Sequence, residues 1–138
     1  FLNLYDCSKV SDGASSLVIA SEEGLKRCGI EKRDAVEIIA IGEAEDDITR
    51  PPQDEVELST TIKAVNSAFR EVSIDKKDLA LIEIHDCFTI SALLAIEAIG
   101  YAEKGKAPQY VLDGYTKANG STPINISGGL IGFGHPTG

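Results

Sequence analysis

The apolar positions of this chain follow two rhythms. In "LSTTIKAVNSAFREVS" (58–73), Ile62, Val65, Phe69 and Val72 recur at steps of three and four, which puts them on one face of a helix that Ser59 is suited to cap. "TISALLAIEAIG" (89–100) is apolar nearly all round, so it predicts a central, buried helix that stops at Gly100. "SEEGLKRCG" (21–29) predicts a short helix with Ser21 as N-cap, Glu22 and Glu23 in the first turn and Gly29 as the stop. The other rhythm is short, β-branched and strand-like: "SSLVIAS" (15–21), "AVEIIAIGEA" (35–44), "LALIEIHD" (79–86) and "TPINIS" (122–127). The third of these is apolar on both faces, as in a covered sheet. Pro51 and Pro52 make the acidic stretch 45–55 a loop, "DKKD" (75–78) is a polar turn, and 105–121 reads as loop. Strands alternate with helices, which predicts an α/β layered domain whose sheet faces are covered by helices.

Composition narrows this picture only modestly. At 138 residues, 43% hydrophobic and 25% charged, the chain amounts to about one domain able to bury a core without disulfides. Its formal charge of −9 argues against a nucleic-acid or anionic-membrane partner, either of which wants basic patches. No apolar run approaches the roughly 20 residues of a membrane-spanning helix. Three irregularly spaced cysteines, Cys7, Cys28 and Cys87, fit free thiols in a reducing, intracellular compartment better than a disulfide framework. The pattern does not separate cytosol, peroxisome and mitochondrion. The abrupt opening on Phe1 and the closing "GHPTG" read as a piece of a longer polypeptide.

The chemistry concentrates in two places. "IEIHDCFTI" (82–90) ends a strand on His85, Asp86 and Cys87 and leads straight into a helix. Period-2 geometry puts His85 and Cys87 on one side and Asp86 on the other. Beyond the carboxyl end of a strand is where α/β sheets hold ligands. A thiol at a helix start can be shifted toward thiolate, and an imidazole beside it can donate to a developing oxyanion. The bland reading is that Cys87 only packs, since cysteine is among the most buried residue types. Cys7 and Cys28 read as structural. Asp86 reads as an N-cap or as an orienter of an imidazole. The second place is "ISGGLIGFGHPTG" (126–138), where glycines including Gly128, Gly129 and Gly134 permit positive φ and close backbone approach, and Pro136 fixes the chain after His135. That predicts a rigid loop aiming one imidazole. "GFGHPTG" lacks the third-glycine spacing and the following helix of a dinucleotide fingerprint. The two histidines and Cys87 match no common zinc spacing, so no metal is expected.

Taken together, "SDGASSLVIAS" (11–21), "IEIHDCF" (82–88) and "PINISGGLIGFGHPTG" (123–138) resemble the C-terminal half of thiolases. The "HDCF" form, in place of Asn-Glu-Ala-Phe, resembles the sterol-carrier-protein-2-type thiolases and their microbial relatives. The resemblance runs over essentially all of 1–138. It implies a layered α/β/α thiolase-like half-domain with a mixed sheet, lacking the N-terminal half and a final Cys-x-Gly segment. It also implies an acyl-CoA C-acyltransferase that cleaves 3-ketoacyl-CoA with coenzyme A, or runs the reverse Claisen condensation, with coenzyme A as substrate and no bound cofactor. By match, His135 activates a nucleophilic cysteine and lines the oxyanion site, His85 supports that site, and Cys87 is a candidate acid/base on the α-carbon. Asp86, Gly128, Gly129, Gly134 and Pro136 support them. The nucleophile would come from the N-terminal half, so the isolated fragment is expected to be inactive. A homo-oligomer, dimer or tetramer, is implied through the complete fold. Two rivals stand beside this reading: a thiolase-like acyl-CoA- or lipid-binding or scaffold protein without turnover, and a self-contained hydrolase using Cys87 and His135.

Overall fold

A computed structural model describes residues 2–136, so the last two residues of the "GHPTG" turn lie outside the described residues. Five helices are present among the described residues: α1 (Glu22–Arg27), α2 (Ser59–Glu71), α3 (Thr89–Ile99), α4 (Ala107–Leu112) and α5 (Gly129–Phe133). α3 is the centre. It packs between α2 and α4, and it contributes Ala95, Ile96, Ala98 and Ile99 to the core. Each such isoleucine withdraws apolar area worth roughly 1.5–3 kcal/mol. Gly100 ends α3 in the left-handed region (φ 95°), where only glycine is free of strain, as its sequence position predicts. The orphan carbonyl of Ile99 accepts Lys76 Nζ at 2.6 Å, and the carbonyl of Lys76 accepts the Tyr101 hydroxyl at 2.6 Å. These bonds pin the 3-10 turn Lys76–Asp78 to the end of the central helix.

α1 begins as its sequence predicts, with Ser21 Oγ accepting Gly24 N–H at 3.1 Å. α2 buries the face of Ile62, Val65, Phe69 and Val72 partway and exposes Lys63, Asn66 and Arg70. Its N-cap is Leu58, not Ser59, whose hydroxyl bonds Asp46 instead, at 3.5 Å. The stretch 105–121 is not all loop. Ala107, fully buried, donates its N–H to Glu97 Oε1 at 3.1 Å and starts α4, where Pro108 is tolerated because first-turn amides need no partner. α5 is likewise a single short helix inside what reads as a glycine-rich turn.

The predicted strands need correction. Among the described residues there is no laddered sheet, only three isolated bridges: Cys7 with Phe88 (antiparallel), Val10 with His135 (parallel) and Ile82 with Ile124 (parallel). The segments 15–21 and 35–44 form no strand and are largely exposed, with Val18 at 95% and Val36 at 96%. β-branched side chains favour a strand locally, but a ladder needs a second edge, and no described segment offers one to either. Segments 79–86 and 122–127 do meet, through Ile82 N–H to Pro123 O and Asn125 N–H to Ile82 O, both at 2.9 Å. The pairing goes no further where Asn125 turns into the left-handed region (φ 50°).

Candidate active site

The end of 79–86 and the chain beyond 122–127 bring the two histidines together. The His85 and His135 rings lie edge to face, with centroids 5.0 Å apart and planes at 75°. They sit on separate segments that a third stretch ties into one. Ser8 donates its N–H to Cys87 O at 2.9 Å, and Lys9 O accepts His135 N–H at 2.7 Å. Residues 7–10 thus touch both chemical segments at once, a role that nothing in their composition signals.

His135 Nδ1 lies 2.9 Å from Pro136 O. A carbonyl has no proton to give, so Nδ1 carries the hydrogen of that bond, and the neutral ring keeps the lone pair on Nε2. Pro136 in turn packs on Gly13, where an added Cβ would meet its Cγ at 3.1 Å. The "DGA" glycine of the N-terminal motif therefore sits against the Gly-His-Pro turn. Gly134 (φ 100°) is held against Ser11 and has no room for a side chain. The glycines at 128, 129 and 134 all adopt positive φ, as the motif requires.

Asp86 makes a bond that its sequence position does not foretell. It caps neither its own helix, whose N-cap Phe88 makes no side-chain bond, nor an imidazole. It is buried, at 7% exposure, and its Oδ1 accepts Leu130 N–H of α5 at 2.6 Å. Asn125 was not legible as a site residue. Its Oδ1 accepts Ile84 N–H at 2.7 Å and its Nδ2 donates to Ile84 O at 3.1 Å, so its side-chain amide continues the pairing that its backbone abandons. The signal was an asparagine, a non-glycine residue type well able to take positive φ, in a β-branched run three residues before two glycines.

Cys87 is half-buried two residues before α3, with Sγ 3.6 Å from Ser91 Oγ. Its side-chain bond is thus to the first turn of α3, whereas the imidazoles face each other. Cys7 is half-buried, and Cys28 is exposed at the end of α1 rather than packed in the core. All three thiols are free. No group of three or more histidine, cysteine or acidic side chains able to hold a metal occurs among the described residues. Among the described residues, no helix is long and apolar enough to cross a membrane.

The chain as a whole is similar to known proteins. The model of a family described as "Thiolase C-terminal domain-like" matches residues 42–138. An acetyl-CoA acetyltransferase of Methanothermobacter thermautotrophicus is 35% identical over 139 residues, covering 99% of this chain and 35% of that protein. Sterol carrier protein 2 of Oryctolagus cuniculus is 35% identical over 146 residues, covering 100% of this chain and 26% of that one. The chain therefore spans between a quarter and about a third of the length of these curated relatives. In fold, it is similar to a solved Ltp2-ChsH2(DUF35) aldolase, with a TM-score of 0.60 at 20% identity over 67% of this chain and 25% of that chain. With the Gly-His-Pro turn, the His-Asp-Cys-Phe stretch and the family match all falling within the same residues, the chain belongs to the thiolase C-terminal domain family.

Proposed function

We propose that this chain is the C-terminal part of an acyl-CoA C-acyltransferase and that it supplies half of the active site. The observation that carries the reading is the meeting of His85 and His135, edge to face at 5.0 Å, on two separate segments. Thioester chemistry places negative charge on one oxygen, and hydrogen-bond donors aimed at that oxygen usually give the largest single contribution to the rate. His135 serves twice. Its Nε2 lone pair takes the proton of a nucleophilic thiol on the N-terminal half. The resulting Nε2–H then donates to the thioester oxygen as the tetrahedral intermediate forms. His85 donates to the same oxygen, and Cys87 moves a proton at the α-carbon. Coenzyme A enters as substrate. In the complete protein the extended segments 15–21 and 35–44 join a mixed sheet with strands of the other half, and the subunits pair as a dimer or tetramer.

The experiment is thiolysis of a 3-ketoacyl-CoA by the full-length protein, followed through loss of the substrate's absorbance on addition of coenzyme A. Turnover that disappears in His135→Ala supports the reading; a full-length protein that binds acyl-CoA without turning it over replaces it. That second reading, a lipid- or acyl-CoA-binding role, draws on the name of one relative, sterol carrier protein 2.

A further inference from the structure

We infer that Asp86 and Asn125 are positioning residues that set the reach of His135 toward His85; this rests on the acyl-transfer reading above. Besides the backbone bond from Asn125 N–H to Ile82 O, three side-chain ties join segment 82–86 to 125–130. Ser127 donates to exposed Glu83, its hydroxyl to Oε2 at 2.7 Å. Asn125 holds Ile84 at both its N–H and its carbonyl, and buried Asp86 accepts Leu130 N–H. The first lies in solvent and contributes little. The other two are sheltered, and a buried carboxylate is costly unless its oxygens are occupied.

What makes Asp86 more than a structural tie is where it sits. His85 is its neighbour in sequence. Its acceptor atom holds Leu130, the single turn of α5 follows, Gly134 N–H closes on Leu130 O at 2.8 Å, and the next residue is His135. The path from ring to ring is a closed circuit: His85, Asp86, Leu130, α5, His135 and back through space to His85. Gly129 makes the fit possible. It adopts φ 57°, and a Cβ there would stand 2.7 Å from Asp86 Cγ and closer still to Oδ2. The carboxylate approaches the chain because there is no side chain to stop it. Displacement of an imidazole by an ångström is enough to lower a rate about 100-fold.

The test uses the full-length protein with two readouts. The first is the cross-relaxation between ring protons of His85 and His135 in histidine-labelled protein, which does not depend on turnover. The second is kcat and KM for thiolysis. In Asp86→Ala the cross-peak should vanish, and kcat should fall about 100-fold while KM stays within about threefold. Asp86→Asn keeps an oxygen that can accept Leu130 N–H, so it should restore the cross-peak and return kcat to within about tenfold of wild type. Asn125→Ala, which keeps Asp86, should weaken the cross-peak and lower kcat by about tenfold, and it carries the test if Asp86→Ala fails to fold. A cross-peak and kcat unchanged in Asp86→Ala, or in Asn125→Ala, overturn the inference, as does an Asp86→Asn variant as damaged as Asp86→Ala. A wild-type protein without thiolysis sinks the acyl-transfer reading alone, and the cross-peaks still decide the positioning.

Discussion

His135 and Cys87 stand on opposite sides of what a sequence can reveal about single residues. His135 is announced by its glycines and proline, and the chain places it against the only other histidine. Cys87 is announced equally well by its position after His85 and Asp86, yet its thiol bonds Ser91. A Ser91 hydroxyl at 3.6 Å can stabilise either protonation state, which suits a group that alternately takes and gives a proton. If Cys87 is the acid/base, Cys87→Ala in the full-length protein should leave acylation intact and slow exchange of the α-proton with deuterated solvent by about 100-fold or more. Exchange at the wild-type rate would assign that step to another cysteine. Asn125 itself, and the partner of Asp86, were beyond the reach of sequence for a simple reason. Their partners are backbone groups 41 to 44 residues away, and backbone groups carry no side-chain signature.

At the scale of elements, helices were more legible than strands because their evidence is local. The apolar face of α2 and the uniformly apolar α3 are written in consecutive residues, and both form nearly where expected. α4 escaped because its start depends on Glu97, ten residues earlier, receiving the Ala107 N–H. The centrality of α3 makes a direct prediction. Ile96→Ala should lower the unfolding free energy by about 2–5 kcal/mol in chemical denaturation, since Ile96 is nearly fully buried. An exposed-site value of a few tenths would contradict the packing described. The clasp at the end of α3 predicts a pH dependence. Burial raises the Tyr101 phenol above its ordinary 10.0, with Tyr110 adding to the shift, and the neutral phenol donates to Lys76 O. A value raised in the folded state gives stability that is complete below about pH 10 and is lost as pH rises through the folded value. The stability difference between wild type and Tyr101→Phe should therefore be constant below about pH 10 and shrink as the pH rises above it, and a difference that stays constant there would rule out this linkage.

At the scale of the molecule, the strands explain why so much of the predicted layer is not realised within these residues. Leu17, Val18, Ile19, Val36 and Ile38 are all exposed, on segments whose backbone has no pairing partner among the described residues. Their conformation is a local property, but their pairing is a property of two edges, and periodicity reports only the first. The same division holds for function. The chain carries two imidazoles, a thiol and the scaffold that aims them, but on our reading the nucleophile they serve belongs to the other part of the complete protein. The measurement that bears most directly on this is intact-mass detection of an acyl-enzyme after mixing the full-length protein with acetyl-CoA, alongside His135→Ala. The account predicts one acetyl group on a cysteine outside residues 1–138 in wild type and none in the variant. Acetylation of Cys87, or equal acetylation of wild type and variant, would contradict it.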